Sequence, residues 1–158
     1  MSTPGRAGVS PPVALAFATV GFFALVIAGF GLASLATGAE VIGSPGLGQL
    51  PGILGTAVAV VGFATTLWSA VRRPQPTYLS ALWVTAAAVA GYLVGLAVGA
   101  LVQGADPARA VGAAGQFAIS WFSVLLAGCA LVAAWCGIAL VRTRAHRPRW
   151  PWEDADDE

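Results

Sequence analysis

Residues 79–102 read LSALWVTAAAVAGYLVGLAVGALV, a stretch with no charged side chain and with Ala87, Gly91, Gly95 and Gly99 spaced four apart. An α-helix rises about 1.5 Å per residue, so about twenty apolar residues cross the hydrocarbon core of a bilayer. The stretch lies inside one of four charge-free intervals, 7–39, 41–71, 74–105 and 110–141. Between Arg6 and Arg142 the charges are Glu40, Arg72, Arg73, Asp106 and Arg109, all of them in the gaps. The pattern predicts an all-α fold, an integral membrane four-helix bundle with spans at about 13–36, 52–71, 79–102 and 117–141.

Composition points the same way. Hydrophobic residues make up 58% of the chain, charged residues 9%, and the mean hydropathy is +0.80. A soluble domain carries about a quarter charged residues. Four spans leave no room in 158 residues for a second folded domain. Residues 1–12 are expected to form a disordered cytoplasmic arm, and residues 142–158 a cytoplasmic tail that is basic and then acidic. The first apolar run is long enough to span, and Leu32-Ala33-Ser34-Leu35-Ala36 is a poor cleavage match, so it reads as an uncleaved helix rather than a signal peptide. Leu50-Pro51 opens the second span, since proline is tolerated in a first helical turn. Arg72-Arg73-Pro74-Gln75-Pro76 ends it with charge and two prolines.

Orientation follows from arginine. Arg6, Arg72, Arg73, Arg142, Arg144, Arg147 and Arg149 fall on one side of the predicted topology and only Arg109 on the other. The positive-inside rule places the majority in the cytoplasm. Both termini and the 72–78 loop are then cytoplasmic, while 37–51 and 103–116 are outward loops of a multi-pass protein of the plasma membrane, the bacterial inner membrane. Trp68, Trp83, Trp121 and Trp135 lie near predicted helix ends, where amphipathic rings favour the interface.

Lipid tails are as apolar as leucine, so helices in a bilayer associate through close approach at small residues. Ala87, Gly91, Gly95 and Gly99 make such a groove along one face of the third span. It reads as a packing ridge, against another helix of this chain or against a second copy or partner. Gly21, Ala24, Ala28 and Gly31 share a face of the first span; Gly55, Ala59 and Gly62 one of the second; Ser120, Ser123, Ala127, Ala130 and Ala134 one of the fourth. A faint repeat relates the halves: Gly38-Ala39-Glu40 to Gly104-Ala105-Asp106, and Gly29 and Ala33 to Gly95 and Gly99. Two hairpins of the same orientation would share an axis along the membrane normal.

Chemistry is sparse. Charge inside a span is the usual mark of an ion or proton path, and the predicted spans hold no charged side chain in their apolar runs. The small multidrug exporters, also four-span proteins, depend on a carboxylate in the first span, where this chain has Thr19. Thr65, Thr66, Thr85, Tyr92, Ser120 and Ser123 are the polar groups at depth, expected to bond to helix carbonyls or across helices. Cys129 and Cys136 are two turns apart, too far for a disulfide, and read as buried small apolar residues. His146 is the only histidine and stands among arginines. Glu40 and Asp106, with Gln49 and Gln116, would converge on the outer face if the repeat is real; otherwise they are solvated loop residues, with Arg109 pairing to Asp106. No catalytic, cofactor-binding or metal-ligating residue is assigned, and the chain is not read as an enzyme.

The tail is the most distinctive polar segment. Arg142, Arg144, Arg147 and Arg149 attract anionic headgroups at about 1 kcal/mol each near the surface, and Trp150 and Trp152 suit the interface or a partner's groove. The acidic end, 153–158, cancels the basic one, which argues against nucleic acid. With four Ala/Gly-rich spans, the tail motif RPRWPWE (147–153) resembles small uncharacterised four-span membrane proteins of actinobacteria. That resemblance implies a plasma-membrane location and carries over no activity, ligand or catalytic residue. The expected role is an accessory or scaffold subunit touching the lipid bilayer and another membrane protein or a second copy. The alternative is a small oligomeric transporter or channel, which needs a polar cavity lined by Thr65, Thr66, Thr85 or Ser120.

Overall fold

Pro11 and Pro12 open the first helix, α1 (Pro11–Thr37), where their fixed φ suits a first turn and their missing N–H groups leave no helix carbonyl unpaired. The computed structural model describes residues 9–38, 41, 48–73 and 76–142. Gly38 ends α1 in the left-handed region, φ 65°, its N–H donating to the Ser34 carbonyl at 2.8 Å. Helix α2 (Leu50–Val71) again carries proline, Pro51, in its first turn. A turn in which the Thr77 and Ser80 hydroxyls lie 3.1 Å apart leads into α3 (Ser80–Val102). At its far end Gly104 takes φ 85°, and the Ala105 N–H reaches back to the Ala100 carbonyl at 3.0 Å, closing the orphan carbonyls of the last turn. Helices α4 (Pro107–Ala118) and α5 (Trp121–Arg142) complete the chain.

The described residues are thus all-α, with five helices and no strand. Four of the helices, α1, α2, α3 and α5, are long and apolar enough to cross a membrane. This is a multi-pass membrane protein.

The segment 103–116 is not a loop. Asp106 caps α4 by accepting the Arg109 backbone N–H at 3.0 Å, Pro107 occupies the first turn, and Ala110, Ala113 and Phe117 recur at helical spacing on a buried face. Arg109 and Gln116 lie on the exposed side. The helix was hidden because it is short and less apolar than the four long ones: five of its twelve residues are alanine and two are glycine. It therefore does not read as a span, although its two faces differ more than those of any long helix. The fourth long helix consequently starts at Trp121, not near 117. A break at Ile119–Ser120 separates it from α4, held by the Ser120 N–H and hydroxyl on the Phe117 carbonyl at 3.0 and 2.7 Å. At the N-terminus, the helix takes in Pro11 and Pro12, which the sequence reading had assigned to a disordered arm. Residues 1–8, Glu40, Pro74, Gln75 and everything beyond Arg142 lie outside the described residues.

The long helices form a ring in the order α1, α2, α3, α5, with α4 against the end of α3. Its centre is aromatic and aliphatic: Phe22, Phe63, Leu67, Tyr92, Leu96, Leu126 and Ile138 are essentially inaccessible. Phe22 stacks on Phe63 at 4.4 Å between centroids, and Phe30 meets Tyr92, Phe117 and Phe122 edge-on. Such pairs add about 0.5–1.5 kcal/mol each beyond area burial.

Candidate functional site

Four surfaces carry the residues of interest: the α2/α3 seam, the outward side of α1, the arginine end of the bundle, and a groove at the opposite end.

At the α2/α3 seam, glycine removes the side-chain layer that normally separates two helices. A Cβ on Gly91 would stand 2.9 Å from the Val58 carbonyl oxygen, and one on Gly99 2.6 Å from the Pro51 Cα. A Cβ on Gly95 would overlap the Leu54 carbonyl. From the other side, a Cβ on Gly62 would lie 3.0 Å from the Ala87 carbonyl oxygen. The structure therefore sets Ala87, Gly91, Gly95 and Gly99 against α2 of the same chain, backbone to backbone, with Gly55 and Gly62 on the facing helix.

The small residues of α1 are placed differently. A Cβ on Gly21 or Gly31 would meet nothing within 4 Å, and Ala24 and Ala28 are exposed. Gly21 also lines a shallow apolar groove of about 260 Å³ on the α1/α5 side, with Phe17, Leu25, Ala133 and Gly137. Cys136 lines it too and is exposed, while Cys129 is half-buried, so neither is the buried core cysteine expected. Along the α1/α5 seam a Cβ on Gly29 would stand 3.3 Å from the end of Leu125 and 3.7 Å from Cys129 Sγ.

At the arginine end, cations lie over rings. The Arg142 guanidinium sits 4.6 Å above Tyr78, whose ring is 5.5 Å from Trp135, and Arg72 lies 5.2 Å above Trp68. Contacts of this kind are worth about 0.5–1 kcal/mol at exposed sites. Trp83 and Trp121 are largely exposed. Arg144, Arg147, Arg149, Trp150 and Trp152 lie outside the described residues.

Four of the six hydroxyls expected at depth are spent locally. Thr65 donates to the Val61 carbonyl, Thr66 to Gly62, Thr85 to Ala81 and Ser120 to Phe117, at 2.6–2.9 Å. Thr19 Oγ1 is buried without a partner. Among the described residues no three His, Cys, Asp or Glu side chains gather as a metal site.

The opposite end holds a feature the sequence did not announce. A groove of about 780 Å³ runs between α1 and α2, lined by Phe23, Ile27, Phe30, Ile53, Thr56 and Tyr92 with Gly48 and Gln49 at its mouth. Gln103, at the end of α3, fixes that mouth by accepting the Gly48 N–H at 3.1 Å. The one sequence signal was a tyrosine in mid-span, whose ring here packs over Gly55 and stacks on Phe117 at 4.3 Å.

Comparison with known proteins adds a family. Residues 11–158 match DUF6121, a family of unknown function, and the chain belongs to it. No curated protein and no solved structure matches the chain.

Proposed function

We propose that this member of a family of unknown function is a non-enzymatic accessory or scaffold subunit of the plasma membrane, N- and C-termini cytoplasmic, that binds a membrane partner along α1. The carrying observation is the unequal use of small residues. The α3 ridge is consumed inside the molecule by α2, whereas Gly21, Ala24, Ala28 and Gly31 on α1 meet no neighbour that would fill their stripe. Small residues on an open helix face allow the close approach through which helices associate in lipid. The adjoining apolar groove of α1 and α5 extends the same surface.

The topology rests on charge. Arg72, Arg73 and Arg142 share one end of the bundle with the start of α1, and Arg109 in α4 stands at the other. The arginine end is the cytoplasmic one on the positive-inside rule. A transporting oligomer finds less support, because the hydroxyls it would use at Thr65, Thr66, Thr85 and Ser120 are bonded to their own helices.

The test is cross-linking in native membranes. With Cys129 and Cys136 replaced by alanine, a cysteine introduced by Ala28→Cys is expected to give one discrete adduct of defined stoichiometry. The same experiment with Val94→Cys, on the exposed side of α3, is expected to give none. Equal, diffuse adducts from both positions would sink the reading. Labelling of Gln103→Cys from outside, with Arg73→Cys protected, checks the orientation; the reverse pattern overturns it.

A further inference from the structure

We infer that the α1/α2 groove is a binding site for a membrane-dissolved amphiphile that carries a carbonyl-type hydrogen-bond acceptor and inserts one apolar tail. Three observations converge on it. The first is size and shape. About 780 Å³ lies within the range of small-molecule sites, and the groove reaches Phe23, fourteen residues and about 20 Å along α1 from Thr37. That is somewhat more than one leaflet of a roughly 30 Å hydrocarbon core. A tail entering beside Gly48 and Gln49 fits this length, flanked by Phe23, Ile27, Phe30 and Ile53.

The second observation is Tyr92. It is 1% exposed, yet it lines the groove; its hydroxyl makes no hydrogen bond among the described residues and is not fully enclosed, so what stays accessible of it opens into the groove. Its ring lies over Gly55, five residues and about 8 Å into α2. A hydroxyl that opens only onto an apolar groove and has no partner there is costly. Phenylalanine would fill the same stack on Phe117 without that cost, so the hydroxyl needs a partner from the occupant. The third observation is construction. Gly55 leaves the ring only just room, a Cβ there standing 3.3 Å from its edge. Phe30 and Phe117 clamp the ring at 6.0 and 4.3 Å between centroids. The donor is therefore held in place before anything binds.

An ester lipid and an isoprenoid quinone both combine a carbonyl acceptor with an apolar tail, and the experiment separates them. Full-length protein in liposomes is photolabelled with a phosphatidylcholine bearing a diazirine in one acyl chain, or with an isoprenoid quinone bearing one in its tail. The expected result is saturable labelling of peptides containing Ile27 and Ile53 by one of the two, and that probe identifies the source. Ala57→Trp, which fills the groove from an exposed position, is expected to abolish it. Tyr92→Phe is expected to weaken it about tenfold, the loss of one hydrogen bond, without lowering the unfolding temperature. Non-saturable labelling by both probes, as strong at Val94 and Val98 as at Ile53, overturns the site. Saturable labelling indifferent to Tyr92→Phe overturns the role given to the hydroxyl.

Discussion

The α2/α3 and α1/α5 seams occupy equivalent places in the ring but are built differently. Across α2/α3, main chain meets main chain: the Leu54 and Val58 carbonyls fill the space where Gly95 and Gly91 lack a side chain. Across α1/α5, side chains intervene: Gly29 faces the Leu125 side chain and Gly137 faces Ala18. A backbone wall cannot rotate away, whereas a leucine end can. The first seam is therefore fixed along its length, whereas the second is adjustable at Gly29, though not where Gly137 meets Ala18, and lies beside an open face. In a bilayer, where burial from lipid contributes little, packing of this kind is what distinguishes a permanent contact from an available one.

Single methyl additions test that difference in graded steps. Gly95→Ala is expected to have the largest effect, about 3 kcal/mol of destabilisation, since the new Cβ overlaps a carbonyl and the helices must separate. Equilibrium unfolding in mixed micelles reads it directly, and a loss below about 1 kcal/mol would break the backbone-contact account. Gly137→Ala comes next, at about 2 kcal/mol, because its Cβ would stand 2.8 Å from the Ala18 Cβ, which has no rotamer to change. Gly29→Ala should lose no more than about 1 kcal/mol. Its nearest neighbour is the end of Leu125 at 3.3 Å, and a rotamer shift relieves the contact. Gly21→Ala, with nothing within 4 Å, is expected to stay within about 0.5 kcal/mol of wild type by the same assay. A different rank order would show that the two seams are not distinguished by what faces the glycines.

Much of this was legible in advance because two strong rules act on single residues. Charge is excluded from the hydrocarbon, so the positions of Glu40, Arg72, Arg73, Asp106 and Arg109 delimited the long helices within a few residues. Glycine every fourth residue makes a flat helix face, so Ala87, Gly91, Gly95 and Gly99 stood out before any neighbour was known. The α4 helix was not legible. It is the most amphipathic of the five, with Ala110, Ala113 and Phe117 on its buried face, but it is short and too polar to span, so a search for long charge-free runs passes it over as a loop. The groove was invisible for another reason: it lies between helices, and Phe30, Thr56 and Tyr92 come together only across three of them. The tail residues chosen for partner or lipid contact, Arg144 to Trp152, lie beyond the described part of the chain, and only Arg142 has a place, over Tyr78.

The most direct test is a paired measurement on Gly95→Ala and Gly21→Leu, each scored for unfolding free energy and for the cross-linked adduct of the α1 face in native membranes. Gly95→Ala should lower stability by about 3 kcal/mol, while Gly21→Leu should leave stability unchanged and abolish the adduct. A stable Gly95→Ala protein, or a Gly21→Leu protein that unfolds easily or keeps its adduct, would contradict the division between a closed seam and an open face.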